Sequence, residues 1–310
     1  MKIFYSDQFT FALPEGHRFP AQKYALLRQA VVAADLVMPA DLIASPAATD
    51  EQIGYAHDEA YLRRLVAGDL TAQEIRRIGL PWSPELVDRS RRTSGGTIAA
   101  CRAALREGIA VNLAGGTHHA FRDHGQGYCL FNDAIIAIRT MQAEGRISRA
   151  VVLDCDVHQG NGTAALAAGD PTIFTFSIHN EQNFPLFKEA SDLDIGLDDG
   201  AGDHDYLAAL EGGVCQALEQ ARPDLVLYLA GADPYEGDLL GRFVLTKDGL
   251  ARRDRFVLGH CCAAGLPTTV VLAGGYARDV RDTVELHLQT VRIAAEMAPA
   301  WAVPVARIGS

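Results

Sequence analysis

Short apolar runs, rich in β-branched and aliphatic residues and bounded by Gly, Pro or Asp, recur along the chain. Ala150–Cys155, Thr172–Ser177, Leu225–Ala230 and Thr268–Ala273 read as buried strands, with Ile109–Leu113 a fifth and Lys2–Tyr5 a sixth. Helical periodicity fills the intervals. It runs from Ser83, a capping residue followed by Glu85 in the first turn, to about Arg106. It returns over Asn132–Glu144 before Gly145, Asp203–Ala221 before Arg222-Pro223, Lys247–Ala264 before Gly265 and Pro267, and Val280–Met297. Segment 36–80 carries the weakest pattern; Ala56–Ala67 within it predicts a helix packed at the edge. Strands separated by helices need crossover connections, so the pattern predicts an α/β fold with a mostly parallel central sheet. No repeat, low-complexity stretch or linker interrupts it, and residues 1–310 read as a single domain.

The polar residues that break this pattern cluster where the strands end. Five runs stand there: Gly115-Gly116-Thr117-His118-His119, Asp154-Cys155-Asp156-Val157-His158, Ser177-Ile178-His179, Gly231-Ala232-Asp233 and Gly274-Gly275-Tyr276. Parallel α/β sheets place their chemistry at the carboxyl ends of their strands. Asp154, Asp156 and His158 alternate after Val151-Val152-Leu153, so an unbent strand would point all three to one side. Unpaired carboxylates at an apolar strand end are costly. A divalent cation held with Asp233 resolves that cost and leaves a coordination position open for water. Helix capping near Asn161 is the competing explanation for Asp156 or His158, but not for four groups on two strand ends.

Two adjacent imidazoles beside a metal suit acid/base work, one taking a proton from water and the other giving one to a leaving group. Each needs a partner at Nδ1, and Asp154 and Asn161 flank the metal run. A carboxylate raises the basicity of its imidazole more than an amide does, which predicts unequal histidines. The glycines before Tyr276 let the backbone turn and bring its phenol inward to a developing oxyanion.

Composition narrows the classes. A net charge of −11 without any Lys/Arg-rich block argues against nucleic-acid binding. No apolar run is long enough for a transmembrane helix, and the N-terminal residues lack the apolar core of a signal peptide. The six cysteines form no CxxC pair. These features predict a cytoplasmic protein with reduced thiols and no membrane partner.

Taken in order along the chain, from Thr93-Ser94-Gly95-Gly96-Thr97 to Gly275-Tyr276, these motifs resemble the zinc-dependent histone deacetylases of the arginase–deacetylase fold, a three-layer sandwich. Gly16-His17-Arg18-Phe19-Pro20, Arg92-Thr93 and above all His158-Gln159-Gly160-Asn161-Gly162 are similar to class IV members and their bacterial relatives. The resemblance implies one zinc ion on Asp156, His158 and Asp233, with His118 and His119 as the base/acid pair backed by Asp154 and Asn161. It implies Tyr276 as the carbonyl-polarising phenol, and an acyl-lysine tunnel lined by Gly127, Tyr128, Gly274 and Phe184 of Asn183-Phe184. It also implies a structural K⁺ or Na⁺ at Asp154, Ser177 and the main-chain carbonyls of Asp156, His158 and Ile178.

The family's rim carboxylate has no match in Leu80-Pro81-Trp82-Ser83, which makes Trp82 the expected rim residue. The expected activity is hydrolysis of an N-acyl-lysine amide, acetyl or longer, in a protein or peptide. A small-molecule deacylase acting on acetylpolyamines or related amines is the alternative. A binding module that has lost its chemistry conflicts with the complete residue set.

Overall fold

The computed structural model describes residues 1–301. Its strands are β1 Lys2–Tyr5, β2 Leu42–Ala44, β3 Ile109–Asn112, β4 Ala150–Asp154, β5 Ile173–Asn180, β6 Leu193–Leu197, β7 Leu225–Leu229 and β8 Thr268–Val271. They form one sheet of 8 strands in the order β2-β1-β3-β8-β7-β4-β5-β6. All seven pairings are parallel, so the sheet is wholly rather than mostly parallel.

Among the described residues ten helices flank it: α1 Lys23–Ala33, α2 Asp50–Gly54, α3 Glu59–Ala67, α4 Ala72–Ile78, α5 Pro84–Glu107, α6 Asp133–Ala143, α7 Asn161–Ala167, α8 Asp203–Ala221, α9 Lys247–Ala263 and α10 Val280–Trp301. Successive strand residues face opposite ways. Val152, Leu227 and Val271 pack into one buried cluster with α5 and α6. Val151, Leu153, Val226, Tyr228 and Val270 pack into the other, with α1, α8, α9 and α10. This is a three-layer sandwich. Both sheet faces are covered, which is why the central strands read as unbroken apolar runs. Among the described residues, no helix is long and apolar enough to cross a membrane.

Two edge strands, β2 and β6, and three helices, α1, α2 and α4, lie outside the sequence reading. The expected helix Ala56–Ala67 starts later, at Glu59, because 56–58 form a connection in which His57 is tied to the backbone of Phe121. The strand read as Thr172–Ser177 continues to Asn180, paired with β6 to its end.

Candidate active site

Asp154 is the last residue of β4, and the chain bends immediately after it. The alternation expected of an unbent strand is therefore broken. Asp154 turns to His118, with Nδ1–H donating to Oδ2 at 2.7 Å, whereas Asp156 and His158 turn to the end of β7. There, one ligand atom each from Asp156, His158 and Asp233 lies within 4.8 Å of the others, and all three residues are buried. His158 Nδ1 lies 3.0 Å from Asp156 Oδ1 and 3.3 Å from Asp233 Oδ2. Capping does not account for these groups, because α7 starts from Gly160 with no side-chain cap.

Backbone donors hold the acids in place. Val157 N–H donates to Asp233 Oδ1 at 3.0 Å, and Gly274 N–H donates to Asp156 Oδ2 at 2.7 Å. Gly274 allows this approach because a Cβ there would stand 1.8 Å from Asp233 Oδ2. Asp233 Oδ2 itself is buried and accepts no well-angled hydrogen bond. Burial first, and then the Asp156 carboxylate, push the Asp233 carboxyl up to about 7. Burial alone would strip the proton from His158, but the adjacent Asp156 and Asp233 carboxylates outweigh it and push the imidazole up to about 10. Two buried carboxyls, one imidazole and one orphaned oxygen fit a divalent cation, which would satisfy the oxygen and displace the protons.

The loop after β3 delivers the two histidines. Gly116 N–H and Thr117 N–H donate to Asp133, in the first turn of α6, at 3.2 and 2.7 Å. The rings of His118 and His119 then lie 4.1 Å apart, centroid to centroid. His119 Nδ1–H donates to Asn161 Oδ1 at 2.8 Å, and Asn161 Nδ2 donates to Gln126 Oε1, which fixes the amide. The two rings thus expose Nε2 with different basicities. For His118, burial opposes the cation, but the charges of Asp154 and Asp156 prevail and push it up to about 9. For His119, burial and the neighbouring His118 and His158 hold it well below the usual imidazole range.

Tyr276 follows β8, and its backbone N–H donates to Asp238 at 2.6 Å. Asp238 also takes the N–H groups of Leu240 and Gly241, tying the β8 loop to the β7 loop. Burial pushes the Tyr276 phenol well above its ordinary range, so it remains a proton donor. A cavity of about 290 Å³ opens from here, lined by His119, His158 and Tyr276 at its base and by Gly127, Tyr128, Phe184 and Arg77 higher up.

Gly127 and Tyr128 both have positive φ, 54° and 66°, and are held by the carbonyls of Arg77 and Ile78. A Cβ at Gly127 would meet the His119 ring at 2.6 Å, so the wall needs glycine there. The expected rim residue Trp82 is misplaced. It packs over Gly68 and donates to Leu65 O at 2.7 Å, away from the opening, and Arg77 stands at the mouth instead. On the far side of the metal set, Asp154 and Ser177 face each other in register on β4 and β5. Ser177 Oγ also contacts Nδ1 of the buried His179 at 2.9 Å.

Sequence reasoning missed the second layer of support. Arg253 on α9 is fully enclosed, and its guanidinium donates to the carbonyls of Gly231 and Cys155, which lie beside the turns that carry Asp233 and Asp156. Asp254 balances the charge and accepts from Tyr228 and Thr290. His57 bridges the loop after β3, with Nδ1–H donating to Phe121 O and Nε2 accepting from Asn132 N–H. Only a charged pair in an otherwise amphipathic helix could have signalled Arg253; nothing local signalled His57.

The family model of the histone deacetylase domain matches residues 17–291. The chain belongs to the histone deacetylase family. An uncharacterized protein of Picosynechococcus is 43% identical over 285 residues, covering 92% of this chain and 95% of that protein. The histone deacetylase-like amidohydrolase of Pseudomonas aeruginosa is 30% identical over 279 residues, covering 84% of this chain and 73% of that protein. The crystal structure of a histone deacetylase homolog from Aquifex aeolicus superposes with a TM-score of 0.81 at 22% identity, covering 95% of this chain and 84% of that one. The fold is that of this histone deacetylase homolog, and the chain is a hydrolase of the deacetylase type, in which an acyl group is removed from an amine.

Proposed function

We propose that this histone deacetylase relative hydrolyses the amide of N-acyl-lysine in peptides or proteins, with one zinc ion on Asp156, His158 and Asp233. The observation that carries this reading is the pair of adjacent imidazoles, each with its own Nδ1 acceptor, beside a buried Asp/His/Asp set with an orphaned carboxylate oxygen. A bound divalent ion there supplies Lewis acidity to the acyl carbonyl and to the attacking water.

The chain's own residues do the rest. Neutral His119 accepts a proton from the water at Nε2. Protonated His118 gives its Nε2 proton to the departing amine. The Tyr276 hydroxyl donates to the acyl oxygen as it gains charge. Gly127, Tyr128 and Phe184 exclude water along the acyl-lysine stem, and the Gly127 and Phe184 positions lie against the His119 ring. The same reading assigns a structural K⁺ or Na⁺ to Asp154, Ser177 and the carbonyls of Asp156, His158 and Ile178; what supports it is that Asp154 and Ser177 are buried and in register on β4 and β5.

A panel of acetyl- to myristoyl-lysine peptides with acetylputrescine tests the substrate class. Each CH₂ buried in the pocket adds about 0.8 kcal/mol, so a pocket that accommodates a long chain reveals itself by a rising kcat/KM along the series. Hydrolysis confined to acetylputrescine would overturn the lysine reading in favour of a small-amine deacylase.

A further inference from the structure

The tunnel mouth has two chemically different sides. On one side Tyr128 sits between two exposed arginines. Gly127 N–H and Tyr128 N–H are bound by the carbonyls of Arg77 and Ile78, which fixes the Arg77 segment to that wall. His17 Nε2–H donates to Gly79 O at 3.0 Å, and the rings of His17 and Phe19 lie 6.1 and 5.3 Å from that of Tyr128, which brings Arg18 to the same wall. The charge of Arg18 reaches the Tyr128 phenol, and that of Arg77 reaches the Asp123 carboxyl. Among the described residues, neither guanidinium is held in an ion pair or a side-chain hydrogen bond. In a chain of net charge −11 both guanidiniums are free of ion pairs among the described residues, Arg77 at the tunnel lining and Arg18 on a side it shares with Glu236, Asp238 and Asp279.

The opposite side is apolar. Phe184 lines the tunnel, and immediately beyond it Leu186 and Phe187 are 85% and 82% exposed, the two most exposed large apolar side chains of the described residues. The loop after β7 is joined to this segment by Asn183 Nδ2, which donates to Leu240 O at 2.8 Å. The segment is braced rather than loose. Lys188 Nζ donates to the carbonyls of Glu181, Asn183 and Pro185 at 3.1, 2.9 and 2.8 Å, so its charge is spent inside the loop. A braced loop that displays adjacent apolar side chains is ordered in advance for contact.

We propose that this mouth selects an acyl-lysine flanked by a carboxylate on the Arg18/Arg77 side and by an apolar side chain on the Leu186/Phe187 side. The inference rests on the acyl-lysine reading above, and it is continuous with it, because the same Tyr128 and Phe184 that wall the tunnel carry the two lips. The carboxylate comes either from an Asp or Glu neighbour in a peptide or from the α-carboxylate of free Nε-acyl-lysine. Exposed ion pairs contribute modestly and are screened by salt, so two guanidiniums on one carboxylate amount to about tenfold in kcat/KM at low ionic strength.

The test uses the metal-loaded full chain and the acyl group that serves best. Acyl-lysine peptides carry Asp-Asp or Lys-Lys on one side and Leu-Phe or Ser-Ser on the other, in both orders, alongside an all-Ala reference and free Nε-acyl-lysine. Wild type is expected to favour the Asp/Leu-Phe peptide over the Lys/Ser peptide through KM, and to lose the charge preference in about 0.5 M salt. R18E/R77E is expected to lower kcat/KM for Asp peptides about tenfold and to raise it for Lys peptides. L186S/F187S is expected to raise KM about fivefold for Leu-Phe peptides alone. L186S/F187S should keep turnover of the Ala reference, and R18E/R77E should keep the unfolding midpoint and metal content of wild type. A preference for free Nε-acyl-lysine over every peptide would assign the carboxylate to the amino acid itself. Equal kcat/KM across the charge series in low salt, unchanged by R18E/R77E, would overturn the proposal while leaving the acyl-lysine reading intact. Cleavage of acetylputrescine alone would overturn that reading.

Discussion

The two histidines share a loop and a chemical type, and differ in one neighbour each. The Nδ1 partner of His118 is the carboxylate of Asp154, whereas that of His119 is the neutral amide of Asn161. This asymmetry yields a prediction of sign. Asn161→Asp places a carboxylate on His119, favours its cation and raises its pKa. A base must be neutral, so the acidic limb of the kcat/KM–pH profile should move to higher pH; an unmoved limb would remove His119 from the base role. Gly274→Ala tests the metal set from another direction. Its Cβ would enter the space 1.8 Å from Asp233 Oδ2, so bound zinc measured by elemental analysis should fall well below one per chain, together with activity. Such residues were legible because chemistry concentrates in few types: adjacent His, Asp-x-Asp-x-His, Gly-Gly-Tyr. Arg18 and Arg77 were not, since an exposed arginine carries no signal until the fold shows what it faces.

At the scale of elements, the buried parallel strands declared themselves because both faces of the sheet are covered and aliphatic residues dominate them. The edges did not. In β6 the exposure alternates and Asp194 and Gly196 interrupt the pattern, and β2 is only three residues long. Helix α1 escaped because neither a capping side chain nor a terminal breaker marks it. The Asp-x-Asp-x-His run shows where periodicity misleads: β4 stops at Asp154, and a bend rather than strand alternation aims the later residues. Helix α9 braces that bend through Arg253. Removing one member of a buried ion pair strands the other, so Arg253→Met should cost about 3–5 kcal/mol of stability by urea denaturation. A loss below 1 kcal/mol would mean that the carbonyls of Cys155 and Gly231 need no guanidinium.

Across the whole molecule, the support of the site carries a pH dependence. Burial pushes His57 down to about 4, and its two hydrogen bonds need the neutral ring. The unfolded chain binds that proton near the ordinary imidazole value of 6.5. His57 therefore leaves the fold undisturbed above about pH 6.5 and destabilises it progressively as pH falls towards about 4, by about 3 kcal/mol in all. His57→Gln should flatten the fall in unfolding free energy across that window, and an unchanged slope would contradict the assignment. The three-layer architecture thus does two jobs. It buries the supporting groups deeply enough to shift their protonation, and it leaves the mouth to loops that carry exposed arginines and apolar side chains.

The most direct test of the account is the turnover of an acyl-lysine peptide by Tyr276→Phe at zinc content equal to wild type. Loss of one oxyanion donor predicts a kcat at least about tenfold lower, with KM little changed. Near-normal kcat in that variant would contradict the account.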